Sequence, residues 1–439
     1  MQPTKLDLDA IVDTSPVRLA QIVIFVLCAL VAVVDGFDTQ SVALVAPILM
    51  GDWHVGPAAF GVVFGTGLFG SLIGAFVFGM AADRFGRKPM LLTAILLFGA
   101  VAAATPLCQT LPQLIAFRLV SGLGLGGALP MIIAITSEFA PARRRSTLVS
   151  LMFCGFPLGA TAAGLAGSQI IPEWGWRSIF WVSASGPAVL APLIALIVPE
   201  SVRFLALRRR TDAVVRVLKR LGWAERWNGD YAVGGPAKGS PAIKLFTEGR
   251  AVSTLRLWLT LFLSLLLTYF LLNWIPVLAR QSGIGVQAAL IGVASVNLGA
   301  VVGCLVIGAF ADRASRSGRA TWVVGAGFLL GAVAIAMIGQ AGGSAERLIA
   351  AAFMTGVLSI GAQMCTVAYS AAFYDTALRA TGVGWAIGVG RVGAIVGPVL
   401  GGQLIARGLP SPQLFLLVSA MSVGAAVAIA GVGGRRGGA

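Results

Sequence analysis

Apolar residues run in long blocks along this chain, separated by short polar breaks. Twelve blocks predict helices, at about Ala20–Pro47, Ala58–Ala81, Met90–Cys108, Leu111–Ser137, Leu148–Ile170, Trp176–Val198, Thr254–Ala279, Ala288–Phe310, Thr321–Gln340, Leu348–Ala372, Gly382–Ala406 and Gln413–Val432. About 20 residues at 1.5 Å each cross a bilayer core, so each block is a candidate membrane span. The one long polar segment, 200–253, predicts a cytoplasmic linker between two six-helix bundles, 1–199 and 254–439. Within it, Thr211–Leu221 reads as a short amphipathic helix, capped by Thr211 and stopped by Gly222.

Composition agrees with the pattern: of 439 residues 57% are hydrophobic and 11% charged, against roughly 25% charged in soluble domains. No cleavable signal is expected, because Met1–Val17 is polar and the first apolar run is too long for one. An even number of spans puts both termini on one side. With the N-terminus cytoplasmic, 26 of the 32 Lys and Arg residues fall in cytoplasmic segments; Arg177, Arg280, Arg347 and Arg407 fall outside, and Arg118 and Arg391 lie within spans. The net charge of +15 is therefore a matter of topology, and no nucleic-acid partner is needed. The five cysteines sit in or at the ends of spans without metal-ligand spacing, so neither a disulfide framework nor a metal site is expected. No nucleophile–base pair or nucleotide loop occurs outside the spans, and Gly122-Leu-Gly-Leu-Gly-Gly127 sits mid-span with no strand before it, so an enzyme is not expected.

The chain repeats. Gly79-Met-Ala-Ala-Asp83-Arg84-Phe-Gly86-Arg87-Lys88 after the second span is echoed by Gly308-Ala-Phe-Ala-Asp312-Arg313 with Arg316 and Arg319 after the eighth. Ser121-Gly122 in the fourth span is echoed by Thr355-Gly356 in the tenth. The offsets, 229 (312 − 83) and 234 (356 − 122), imply two similar units in parallel order, an arrangement that places a ligand site between them near the midplane. Small pairs four residues apart, Gly70/Gly74, Gly155/Gly159, Gly299/Gly303 and Gly384/Gly388, suit either static close packing or helices that slide.

Charges inside apolar spans carry the chemistry. A carboxylate at the bilayer centre costs roughly 2.5–3.5 kcal/mol and is usually kept for an ion or substrate path. Asp35 and Asp38, three residues apart, share a helix face in the first span. Helical rise places Asp38 and Arg118 about 13 and 9 Å below the outer face, so the two are expected to pair, with protonation of the aspartate releasing the pair. The alternative is a fixed ion pair that only orients two helices. Asp35, about one turn deeper, would share a proton with Asp38 through like-charge proximity. Arg391, near mid-depth in the eleventh span, has no acidic neighbour on its own helix and wants an anion, either a substrate carboxylate or a carboxylate from another helix such as Asp35. Phe37, Tyr269, Asn273 and Trp274, with Gln363 and Tyr369 opposite, are candidate walls and hydrogen-bonding groups for an aromatic ring, although aromatics in membrane helices more often pack. His54, the one histidine, reads as an exposed loop residue.

The loop Gly79–Lys88 resembles the signature of the major facilitator superfamily, Gly-x-x-x-Asp-Arg-x-Gly-Arg-Lys/Arg, and Arg118-Leu-Val-Ser-Gly122-Leu-Gly-Leu-Gly resembles its second motif. The resemblance covers essentially the whole chain. Asp35-Gly-Phe-Asp38, Cys154-Gly-Phe-Pro-Leu-Gly-Ala160, Pro199-Glu-Ser201, Asn273-Trp-Ile-Pro276 and Gly388-Val-Gly-Arg391 are similar to the aromatic acid:proton symporter family within it. The paired glutamines of sugar porters are absent from the seventh span, and Gly-Pro occurs in the eleventh span and not in the fifth as in drug antiporters. The resemblance implies an all-α membrane fold of twelve helices in two bundles, and proton-coupled import of a carboxylate such as a hydroxylated benzoate by a bacterial inner-membrane monomer. It implies protons as coupling ion without a cofactor, and Arg391 as anchor of the substrate carboxylate. Gly79, Asp83, Arg84, Gly86, Arg87 and Lys88, with Asp312, Arg313, Glu138 and Glu200, would form the cytoplasmic gate. Symport of another organic acid or a sugar, and a non-transporting sensor on the same scaffold, remain the alternatives.

Overall fold

The computed structural model describes residues 6–7, 12–13, 17–223, 231–232, 242–247, 249–315 and 317–432. Arg316 of the echoed motif, and the terminal Arg435 and Arg436, lie outside the described residues. Twelve helical segments are long and apolar enough to cross a membrane. They are α1 (Leu19–Asp52), α2 (Pro57–Phe85), α3 (Arg87–Ala104), α4 (Leu111–Phe139), the pair α5 (Arg145–Phe153) and α6 (Gly155–Trp174), and α7 (Arg177–Ile197) in the first half. In the polar segment come α8 (Val202–Leu207) and α9 (Thr211–Arg220). The second half holds α10 (Ala251–Gln281), α11 (Val286–Ser315), α12 (Ala320–Gly339), α13 (Ala345–Thr355), α14 (Gly361–Phe373), α15 (Thr376–Ala406) and α16 (Ser411–Ala430). The described residues also include short 3-10 turns at Thr105–Leu107 and Ala242–Phe246 and a two-residue parallel pair, Leu6–Asp7 with Tyr231–Ala232.

Local chemistry explains where this departs from the sequence expectation. The first helix runs through Pro47 to Asp52, because a proline inside a membrane helix loses one hydrogen bond without forcing an end when neighbouring helices enclose it. The fifth span breaks at Cys154 into two helices, and the tenth contains one π-helical turn, Gly356–Ile360, between α13 and α14. Thr211 is the first residue of α9, not its cap: Arg210 precedes it and makes no side-chain cap. Gly222 does follow, at φ +72°.

Buried apolar packing joins the two halves at one end and stays within each half at the other. One apolar cluster, containing Leu44, Phe60, Phe64, Leu271, Trp274, Leu290 and Ile405, spans both halves at the end away from the basic loops. Two further large clusters, one around Phe98 and Ile132 and the other around Phe328 and Ile429, are each confined to one half, toward the basic end. The polar segment divides in the same way. Val202, Leu205, Val214, Leu218 and Trp223 pack into the first half, so this stretch is docked and is not a free tether, whereas Leu245 packs with Tyr374 and Leu378 of the second half.

Small residues bring the backbones within each half together. A Cβ at Gly159 would fall on Val33 O of α1, and one at Gly303 on Val357 O, so these glycines serve close packing where side chains cannot fit. Gly70 and Gly74 do the same against Leu119 and Leu123. Gly384 and Gly388 differ, since a Cβ at either meets no atom within 4 Å. The internal repeat is also physical: Gly122 lies against Gly67 O, and its counterpart Gly356 against Val296 O.

Candidate functional site

Asp38 is held by three side chains from two neighbouring helices. Ser183 Oγ of α7 donates to Oδ1 at 2.7 Å; Ser121 Oγ and Arg118 Nη2 of α4 donate to Oδ2 at 3.1 and 3.5 Å. The Asp38 side chain is 0% exposed and that of Arg118 is 5%. A buried carboxylate with a cation and two hydroxyls is well compensated, and all four groups belong to the first half.

Asp35 lies in a different setting. Thr39 Oγ1 donates to its Oδ1 at 3.3 Å, while Oδ2 is buried without a hydrogen-bond partner. Arg391 and Tyr269, both from the second half, lie within electrostatic reach of it, as does Asp38. Arg391 Nη1 crosses to α2, donating to Ser71 O at 3.2 Å and Ser71 Oγ at 3.3 Å. A guanidinium has five N–H donors, so these bonds leave most of its fork uncommitted to Ser71. The two aspartates share a helix face in projection but not a set of partners: Asp38 is tied into its own half and Asp35 sits where the halves meet.

The remaining candidate walls divide. Tyr269 and Gln363 are half-buried, and Phe37 packs on the edge of the cluster that joins the halves. Asn273 turns its amide onto its own helix, donating from Nδ2 to Tyr269 O at 2.7 Å. Trp274 is corrected. It is fully buried, its Nε1 donates to Pro398 O at 2.9 Å and its ring meets Phe64 edge-on at 5.4 Å, so it cements the closed end instead of lining a cavity. Tyr369 packs against the second half's own cluster.

At the basic end the signature loop forms a network within the first half. Arg87 pairs with Glu138 at 3.3 Å and Asp83 at 3.8 Å. Glu200 Oε1 accepts from the backbone N–H groups of Arg87, Lys88 and Ser201 at 3.0, 3.3 and 2.8 Å, a carboxylate at the N-terminus of α3 where the helix dipole favours one. Gly86 is required there: its φ is +107°, and a Cβ would fall on the Glu200 carboxylate. Arg84 and Gly79 stay at the edge, Arg84 lying over its neighbour Phe85 while its backbone carbonyl accepts from Arg208. Asp312 and Arg313 are exposed, and Arg313 donates to Ala309 O of its own helix. In this conformation, therefore, the expected gate residues form a first-half network with the second-half pair standing apart. His54 is an exposed loop residue.

Sequence reading missed Ser71, Ser121, Ser183 and Gln40. Gln40 Nε2 donates to Leu272 O at 3.0 Å, from α1 of one half to α10 of the other. A signal was present: Pro276, four residues on, lacks the N–H that would have bonded Leu272 O, so that carbonyl needs an outside donor. The serines carried no such mark, since a hydroxyl in a membrane helix usually bonds its own backbone.

Two pseudo-repeated six-helix halves, packed together at one end over buried charges, have the architecture of a membrane transporter. The chain belongs to the major facilitator superfamily, whose family model matches residues 28–345, and it groups there with the aromatic acid transporters. It is 35% identical over 434 residues to the gallate transporter of Pseudomonas putida, covering 98% of this chain and 96% of that one. It is also 35% identical to the 4-hydroxybenzoate transporter of Pseudomonas aeruginosa, covering 98% and 95%. Among solved structures it is similar in fold to a D-xylose-proton symporter, at TM-score 0.71 and 19% identity over 93% of this chain and 97% of that one.

Proposed function

We propose that this protein imports an aromatic carboxylate of the hydroxybenzoate type together with protons, by alternating access in the bacterial inner membrane. The basic end is read as cytoplasmic, with both termini there, on the distribution of Lys and Arg. The conformation described is then open inward. The unit is a monomer with no cofactor, whose moving bodies are 1–199, extended by the docked stretch Val202–Trp223, and 254–439.

One observation carries the reading: Asp35, with an unpartnered carboxylate oxygen, lies within reach of Arg391 where the halves meet. Asp38 and Arg118 cancel one another nearby. With Asp35 ionised, Asp35 and Arg391 also sum to zero. A substrate carboxylate bound at Arg391 brings the centre to −1, and one proton on Asp35 restores neutrality. Burying uncompensated charge in a low-dielectric interior costs several kcal/mol, so loaded halves close readily over substrate plus proton and poorly over substrate alone. Arg391 would anchor the carboxylate, with Tyr269, Asn273, Gln363, Phe37 and Tyr369 near the ring. Asp38 and Arg118 would hold α1, α4 and α7 in register. The network of Arg87, Glu138 and Glu200 would meet Asp312 and Arg313 when the inner end shuts. The names of the relatives support this substrate class.

The test is uptake of radiolabelled hydroxybenzoates into proteoliposomes with and without an imposed pH gradient. Accumulation that depends on an acidic exterior is expected. Uptake indifferent to the gradient removes the coupling, preference for xylose moves the substrate class to sugars, and binding without transport makes the protein a sensor.

A further inference from the structure

We propose that the basic end carries a binding site for an anionic phospholipid headgroup, built by Lys88 of α3 and Arg220 of α9 over the end of α7. Lys88 Nζ donates to Ala195 O at 2.6 Å and Arg220 Nη2 to Leu196 O at 3.1 Å. Both acceptors lie in the last turn of α7, where carbonyls have no helical partner and a cation is favoured. Helix capping explains one bond per side chain. It does not explain two cations brought to adjacent carbonyls, close enough to repel each other.

The nearest acid, Glu200, sets one negative charge against two positive ones and lies within electrostatic reach of Lys88, so it offsets the pair only in part. Glu200 spends Oε1 on three backbone N–H groups, and neither Lys88 nor Arg220 forms an ion pair among the described residues. Lys88 keeps two N–H donors and Arg220 four beyond the capping bonds. Lys219, also exposed, adds a third positive charge beside them.

Position selects the ligand. Leu196 is 74% exposed and Val189, two turns earlier, 59%, so the α7 surface running up to this pair is apolar and faces outward in a membrane protein. Cations at the rim of such a surface meet lipid headgroups, and a phosphodiester with acyl chains along α7 matches both parts; basic pockets of this kind suit anionic lipids. Amphipathic α9 places Arg220 at this height because Val214, Val217 and Leu218 seat its other face in the first half. A bound headgroup would therefore strap α3, α7 and α9 together.

The experiment is native mass spectrometry of the intact protein titrated with phosphatidylglycerol or phosphatidylcholine. The wild type is expected to retain phosphatidylglycerol preferentially, and the double variant K88Q/R220Q to lose about 30-fold in that affinity, two basic contacts having gone. R220K should keep most of the binding, and R347Q/R407Q, an equal loss of two charges at the exposed opposite end, all of it. Retention by K88Q/R220Q equal to wild type overturns the proposal, as does a loss as large in R347Q/R407Q. Millimolar inorganic phosphate should not displace the lipid; if it does, the site is one for soluble anions. Thermal unfolding of each variant separates lost binding from lost folding.

Discussion

Gln40 provides a sharp test of how the halves are held at the closed end. Its Nε2 reaches Leu272 O at 3.0 Å, and both residues are buried. Within α10 the natural donor to that carbonyl would be the N–H of residue 276, which is proline. Gln40→Leu keeps the volume and removes the donor, leaving a buried carbonyl unpaired at a cost of about 1–3 kcal/mol. The bond crosses between halves, so the cost falls on the state closed at this end and shifts the conformational equilibrium by about 5- to 150-fold toward the other state. Spin labels at Asp52 and Arg407, exposed on opposite halves at this end, report the shift as a growing long-distance population once the native cysteines are replaced. Pro276→Ala supplies the missing N–H from within the helix. In that background Gln40→Leu should have little further effect, giving a coupling close to the single-variant cost. An unchanged distance distribution in Gln40→Leu, or the same shift with and without Pro276, would refute the reasoning.

Asp35→Asn fixes a neutral side chain where the proton is proposed to bind. Exchange of labelled for unlabelled substrate should continue while accumulation driven by a pH gradient disappears; persistent accumulation removes Asp35 from coupling. In the wild type, initial uptake should rise as the external solution is acidified, because the loaded carrier requires a protonated carboxyl. Arg391→Ala removes a charge-assisted contact of about 1.5–3 kcal/mol, so apparent substrate affinity should fall about 10- to 150-fold, read from the concentration dependence of uptake. Ser183→Ala deletes the 2.7 Å bond to Asp38, which at about 1.5–3 kcal/mol for a charged acceptor should lower the thermal unfolding midpoint by a similar amount with or without substrate, since all these groups move within one half.

Much of the fold was legible because membrane spans are written in long apolar blocks, and the repeated motifs reported the two-fold plan. Ends and breaks were harder. Pro47 reads as a terminus yet lies inside α1; the break at Cys154 is signalled by Gly155 and Pro157, which also occur in unbroken membrane helices, and nothing in the letters marks the π-helical turn at Gly356–Ile360, which depends on neighbouring backbones. The charged residues of the site were legible individually, because ionisable groups in apolar spans are costly. Their partners were not. Helical depth alone brought Arg118 toward Asp38, but only the packed helices supply Ser121 and Ser183 and separate Asp38 from Asp35. Trp274 shows the opposite error: an aromatic beside Asn273 reads as a binding wall, and the fold uses its ring and N–H as mortar at the closed end.

Gly384 and Gly388 leave a bare strip on α15 in this conformation, with room for a methyl group at either position. Bulk added there would be free of charge to the form described, so any penalty it brings must be levied on another. Alanine at these two sites thus becomes a one-sided weight on the balance, able to reveal whether an unseen shape of the molecule needs that strip smooth.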